Sequence, residues 1–290
     1  MGFMDAIQEQ EKDSKVIVPQ LIKIQEQKQD DKQSVFTDLK GTEKRKFLKI
    51  LVTGQPKTGK TRFCLSAPAS ICYVDTENGV NPFLDLVSEK QIHFCSAYQD
   101  NPETSQLDSV HSLNIVDKAI YESRNIIKPQ TFVLDSCTSI WQWMADWLRI
   151  EVLSKKGELT GRGTKTITFT GNIMGNPSDR RDWSTATMKH ISMVTALMSA
   201  PFHVIFTAQD HPAYDAQGNI LNTMKTSCNK NLPYAVDIII EMKKRLMPDK
   251  TMEHYAIIKD CRHPVPNIQG TEIVNPTFDK IYTLVFGAKA

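Results

Sequence analysis

The sequence predicts an α/β fold, with a mostly parallel central sheet flanked by helices and an antiparallel extension on its C-terminal side. Three observations carry this expectation. Short apolar runs alternate with helical stretches from Lys46 to about residue 207. A glycine-bearing segment, Gly54 to Thr61, stands between a strand pattern and a helix pattern. Past residue 235, strand-like runs follow one another with little helix between them. Alternating strands and helices build parallel sheets, because the crossover helices must cover both faces.

The elements follow in order. Phe47 to Val52 reads as a strand, followed by a helix behind the glycine segment. Residues 71–75, 92–95, 131–135 and 203–207 are four more runs rich in β-branched and aromatic residues. They are apolar without strict alternation, as strands buried on both faces are. Helices are expected over 107–124, 139–153 and 183–199; in the first, Val110, Leu113, Val116 and Ile120 recur near a 3.6-residue period. Strands are expected over 235–241, 253–259 and 280–286. Residues 154–182 form a long loop, and such loops in compact domains are functional or disordered.

Composition narrows the class. The chain has 290 residues, of which 40% are hydrophobic and 23% charged, ordinary values for a globular protein. No apolar run reaches the ~18 residues of a membrane-spanning helix. The start, MGFMDAIQEQEKDSK, lacks a basic stretch leading into an apolar one, and Ala6 stands where a myristoylation signal needs Ser or Thr. A cytoplasmic location is the expectation, without a membrane partner. None of the six cysteines forms a CxxC pair, so they read as reduced thiols, mostly core residues. The net charge of +2 neither demands nor excludes nucleic acid. Residues 1–46 carry nine Lys/Arg, nine Asp/Glu and seven Gln, which leaves little apolar surface to bury. The expected division is a polar arm over 1–45, available for self-association, and one domain over 46–290.

The most specific signal is Gly54-Gln55-Pro56-Lys57-Thr58-Gly59-Lys60-Thr61, which satisfies GxxxxGK[ST] at every specified position. The context is the required one, after a strand and before a helix. Glycines let the backbone curl until successive N–H groups converge on phosphate oxygens. The helix N-terminus adds partial positive charge. Lys60 then neutralises the outer phosphates, and Thr61 offers a hydroxyl to Mg²⁺. ATP and Mg²⁺ are therefore the expected ligands.

Three polar residues end buried strands. Asp135 follows Thr131-Phe132-Val133-Leu134 at a strand's C-terminal end, where ligands sit in open α/β sheets. It is the candidate Mg²⁺ ligand opposite Thr61; a plain helix-capping Asp is the alternative. Ser136 occupies the position where many P-loop motors carry a catalytic Glu, so the base must come from elsewhere. Glu77, just past the second strand, is the candidate. Gln209, two residues beyond His203-Val204-Ile205-Phe206-Thr207, is a candidate sensor of the terminal phosphate.

In this order the segments resemble the RecA-like P-loop ATPases over roughly residues 46–265. YVDTENGVNP resembles the segment that carries the catalytic glutamate, TFVLDSCTSI the Mg²⁺-binding strand, and VIFTAQD the strand leading to the sensing glutamine. The resemblance extends to small phage-encoded RecA-core proteins of recombination and single-strand annealing. It implies a RecA-like P-loop NTPase core, Glu77 as water-activating base and Gln209 as sensor. It also implies an active site between subunits of a ring or filament, with Lys259 and Arg262 reaching across from a neighbour as an arginine finger does.

The resemblance further implies loops that bind single-stranded DNA. The 154–182 loop offers Lys155, Lys156, Arg162, Lys165, Arg180 and Arg181, with Phe169 for base stacking. Residues 211–230 offer Tyr214, Lys225 and Lys230. Ordinary charged surface loops would look the same. The expectation is a DNA-stimulated ATPase of recombination, repair or annealing. Its rivals are a motor of the same fold acting on protein and a small-molecule kinase.

Overall fold

The computed structural model describes residues 47–83, 91–148, 180–215 and 217–287, with the backbone alone for 180–182. All of them belong to one compact unit, Arg45–Ala290. The arm at 1–45 lies outside the described residues, as does the 154–179 part of the long loop.

Eight strands form the main sheet: β1 (Lys49–Gly54), β2 (Ile71–Asp75), β3 (Ile92–Ser96), β4 (Thr131–Asp135), β5 (His203–Thr207), β8 (Ile238–Leu246), β9 (Met252–Cys261) and β10 (Glu272–Val274). Their order across the sheet is β10-β9-β8-β1-β5-β4-β2-β3. From β8 to β3 all neighbours are parallel, and β9 and β10 continue the sheet antiparallel. The remaining two strands, β6 (Gln209–Tyr214) and β7 (Ile220–Ser227), pair as a separate hairpin.

Burial on both faces explains the apolar runs. Every residue of β1, β2 and β4 is buried. Along β1, Ile50 and Val52 face one core with Tyr73, Val133 and Ile205. That side is covered by α1 (Lys60–Leu65) and α6 (Phe278–Phe286). Leu51 faces the other core with Val74, Leu134 and Phe206. There α2 (Ser109–Glu122), α3 (Cys137–Trp147) and α4 (Arg180–Met198) pack. Within α2, Leu113, Val116 and Ile120 are buried and Asp108 caps the start by accepting from His111 N, so the expected periodicity is the packed face. A short helix, α5 (Leu232–Ala235), precedes β8.

Two expectations change. Residues 280–286 lie in helix α6, not a strand. Thr277 accepts from the Lys280 N–H at its start, Phe278, Ile281 and Val285 form its buried stripe, and Gly287 ends it at φ 84. Second, the strand expected over 235–241 begins at Ile238 and runs parallel to β1, so the antiparallel extension starts only at β9. Residues 211–230 are chiefly hairpin rather than open loop.

One buried charge ties the layers together. Lys49 is 5% exposed, and its ammonium donates to the carbonyls of Leu197 (3.2 Å), Ala200 (2.9 Å) and Phe202 (2.6 Å). It thereby satisfies carbonyls at and just past the C-terminal end of α4. Burial lowers its pKa to about 8, against the attraction of Asp237.

Candidate active site

β1 delivers the chain to Gly54 at the C-terminal edge of the sheet, and α1 begins at Lys60, so residues 54–59 must reverse within one tight turn. Gly54 sits at φ 147, where an added Cβ would lie 2.5 Å from the Met242 carbonyl oxygen. Gly59 stands at the start of α1 with φ 95. Both positions need glycine, for close approach or for left-handed backbone. Thr58 is buried and donates to Gln55 O at 2.8 Å, while Gln55, Pro56 and Lys57 are exposed. The Lys60 ammonium folds back over the turn, donating to Gly54 O (2.8 Å) and Gln55 O (2.9 Å). Burial lowers its pKa, opposed by Asp135, Asp210 and Glu77.

Neighbouring strands bring the other candidates to the same edge. Asp135 ends β4 and takes hydroxyl donors from three elements: Thr61 (3.0 Å), Tyr73 (2.5 Å) and Thr207. Burial and Asp135 itself push the Tyr73 phenol well above its ordinary pKa, so it remains a donor. Asp75 ends β2, and its carboxylate accepts the N–H groups of Glu77 (2.9 Å), Gly79 (3.2 Å) and Val80 (3.0 Å). This turn aims Glu77 across the sheet edge. The Glu77 carboxylate accepts from Ser136 Oγ, from Ser139 Oγ at 3.0 Å, and from Gln209 Nε2 at 3.0 and 2.9 Å. The candidate sensor and the candidate base, separated by 132 residues in sequence, are thus a direct pair.

Lys57, Gly59, Lys60, Thr61, Glu77, Asp135 and Gln209 share one cavity of about 510 Å³. Whether Mg²⁺ fits can be judged from the donors. The Thr61 hydroxyl and an Asp135 oxygen lie together at the cavity wall, both hard oxygen ligands. Among the described residues, no group of three or more His, Cys, Asp or Glu gathers. A two-oxygen protein set suits Mg²⁺, which keeps several waters and takes its other ligands from phosphates.

Lys259 and Arg262 stand apart from this cavity. The Lys259 ammonium lies 3.2 Å from Glu241 Oε2, as does that of Lys243. Arg262 donates to Tyr234 O at 2.7 Å and lies 3.6 Å from Asp237. It follows Cys261, which pairs with Ile238, whereas Gly54 is level with Met242. Arg262 therefore sits towards the opposite edge of the sheet from the phosphate turn. Both side chains are exposed. Lys225, on β7, and Lys230, just before α5, are exposed too. Lys155, Lys156, Arg162 and Lys165 lie outside the described residues, as do the side chains of Arg180 and Arg181.

Sequence reasoning passed over Tyr73, Asp75, Thr138, Ser139 and Thr207. Thr138 Oγ1 accepts from Gln209 N at 2.9 Å and donates to Ser227 O at 2.7 Å, fastening both strands of the hairpin to α3. Asp75 was legible as a strand-ending carboxylate like Asp135. The hydroxyls had no signal, since Ser and Thr occur throughout strands and turns.

A glycine-turn phosphate cradle on a parallel sheet, with an Asp and a Thr at the Mg²⁺ position, defines a P-loop nucleotide-binding domain. The profile of the AAA domain family matches residues 46–262, most of the chain, and the chain belongs to that family of P-loop ATPases. No curated protein matches it.

Proposed function

We propose that the chain is a RecA-like, DNA-dependent ATPase that binds single-stranded DNA in recombination, repair or annealing. The observation supporting it is the hydrogen-bonded route from Glu77 through Gln209 into the β6–β7 hairpin. That hairpin exposes Tyr214 and Lys225, an aromatic surface and a cation of the kind that stack bases and hold phosphates. Lys60 and the turn amides hold the phosphates, while Thr61 and Asp135 would hold Mg²⁺, which neutralises charge on the phosphoryl oxygens. Glu77 accepts the proton of the attacking water. In the described state its oxygens are occupied by Ser136, Ser139 and Gln209. A terminal phosphate that draws the Gln209 amide away frees the base and shifts the hairpin in the same movement. Arg262, towards the far edge of the sheet from its own cavity, and Lys259, exposed and outside that cavity's lining, are the cations to be supplied to a neighbouring copy in a ring or filament.

The test is ATP turnover with and without a single-stranded oligonucleotide, across a salt series. Turnover should rise several-fold with DNA, and DNA retention should fall steeply with salt. The exposed Ile220, Leu221 and Met224 on the same hairpin favour the second reading, a motor acting on protein. Unstimulated turnover with no salt-sensitive DNA retention would select it.

A further inference from the structure

We propose that Asp210, a buried carboxylate on the β6–β7 hairpin, couples that hairpin electrostatically to the phosphate turn, so that the charge of a bound triphosphate drives the hairpin away from the turn. The inference rests on the ATPase reading and names a positioning residue for its switch. Asp210 directly follows Gln209, and side chains alternate along a strand, so the two leave β6 on opposite faces. Gln209 reaches Glu77. Asp210 shares its face with Pro212 and with their cross-strand partners, Thr226 and Met224. Met224 Sδ lies 3.9 Å from Gln55 Nε2, which sets that face of the hairpin against the phosphate turn. The Lys60 ammonium rests on the Gly54 and Gln55 carbonyls of the same turn. Burial lowers the pKa of Lys60, and Asp210 is among the carboxylates whose attraction opposes that.

Asp210 is 7% exposed and lies outside the lining of the phosphate cavity, so it acts on a ligand there through its field and not by contact. A carboxylate so little exposed keeps more of its Coulomb interaction than one in open water. Its Oδ1 accepts from Thr226 Oγ1 at 2.6 Å, across the hairpin, which fastens the charge to both strands. A force on Asp210 is therefore a force on the hairpin as a unit. Without nucleotide, Lys60 and Asp210 attract, and the hairpin is held to the turn. Phosphate oxygens engage the ammonium and bring further negative charge to the same place, so attraction gives way to repulsion. Linkage makes the effect reciprocal: whatever free energy the triphosphate spends on displacing Asp210, Asp210 takes from triphosphate binding.

Asp210→Asn tests this, because it removes the charge and leaves an amide oxygen to accept from Thr226. Thr226→Val is its counterpart, breaking the bond and keeping the charge. Binding of ATP, ADP and inorganic tripolyphosphate is measured by calorimetry at low salt with Mg²⁺ present. Asp210→Asn should bind ATP and tripolyphosphate roughly tenfold more tightly, the size of one partly screened charge pair, with a smaller gain for ADP. Thr226→Val should not tighten ATP binding. Hydrogen exchange along β6 and β7 gives a second reading: a non-hydrolysable imido analogue of ATP should speed it in the wild type and much less in Asp210→Asn. Unchanged or weaker ATP binding by Asp210→Asn, equal gains for ATP and ADP, tighter binding by Thr226→Val, or an undiminished exchange response in Asp210→Asn each overturns the proposal. A wild type that binds the analogue with no change in hairpin exchange overturns it too, while leaving the ATPase reading intact. If the wild type binds neither ATP nor tripolyphosphate, the ATPase reading itself fails and takes the coupling with it.

Discussion

Each strand-end residue of the site is held by groups that set its task, and this makes single substitutions informative. Asp135 is held beside the phosphate turn by three hydroxyl donors, those of Thr61, Tyr73 and Thr207. Tyr73→Phe removes one of them and no apolar contact. The expected outcome is a chain destabilised by about 1–2 kcal/mol whose turnover needs several-fold more Mg²⁺, read from an Mg²⁺ titration of ATPase rate. Gly54→Ala places a methyl 2.5 Å from the Met242 carbonyl, so the turn must open. It should abolish nucleotide binding while the circular dichroism spectrum stays that of the wild type. The strand-ending Asp135, Glu77 and Gln209 were legible because each breaks an apolar run at the edge where α/β sheets bind ligands. Tyr73 and Thr207 were not. Their positions within apolar strands give no hint that their hydroxyls converge on one carboxylate from two separate strands.

At the scale of elements, the parallel strands were legible because burial on both faces leaves few polar residues in them. Residues 280–286 mislead for a related reason: a short aromatic and β-branched run fits a strand as well as a helix, and only Thr277 and Gly287 at its ends betray α6. The docking of α4 rests on two buried polar side chains that periodicity does not reveal. Lys49 serves three carbonyls there, and Lys49→Met leaves them unpaired at a cost on the order of 3 kcal/mol by denaturant unfolding. His190 is 1% exposed, its ring stands edge-on to Trp141 at 5.8 Å, and its Nε2 has no hydrogen-bond partner among the described residues. Burial lowers its pKa from 6.5 to about 4. The unfolded chain therefore binds a proton more readily than the folded one. Stability is complete above about pH 6.5 and declines as pH falls towards 4, by on the order of 3 kcal/mol in all. His190→Leu should flatten that acid limb in pH-dependent melting; an unaltered limb would assign it to other groups.

For the whole molecule, the sheet order gathers the phosphate turn, Asp135, Glu77 and Gln209 at one edge, while Arg262 lies towards the other. In the proposed reading, Arg262 reaches the terminal phosphate of a neighbouring copy rather than that of its own cavity. Specific activity should therefore rise with protein concentration, and Arg262→Ala should lower turnover while nucleotide affinity holds. A flat concentration dependence would make hydrolysis a property of the single chain. The expectation of an active site between subunits came from resemblance alone; nothing in the composition of the domain distinguishes a surface that meets its own copy from one that meets water.

The most direct test of the account is a paired measurement of ATP binding and ATP turnover for the wild type, Lys60→Ala and Glu77→Gln. Lys60→Ala should lose nucleotide binding, and Glu77→Gln should bind ATP as the wild type does while turnover falls by about 10²-fold or more. Normal turnover by Glu77→Gln, or undiminished binding by Lys60→Ala, would contradict it.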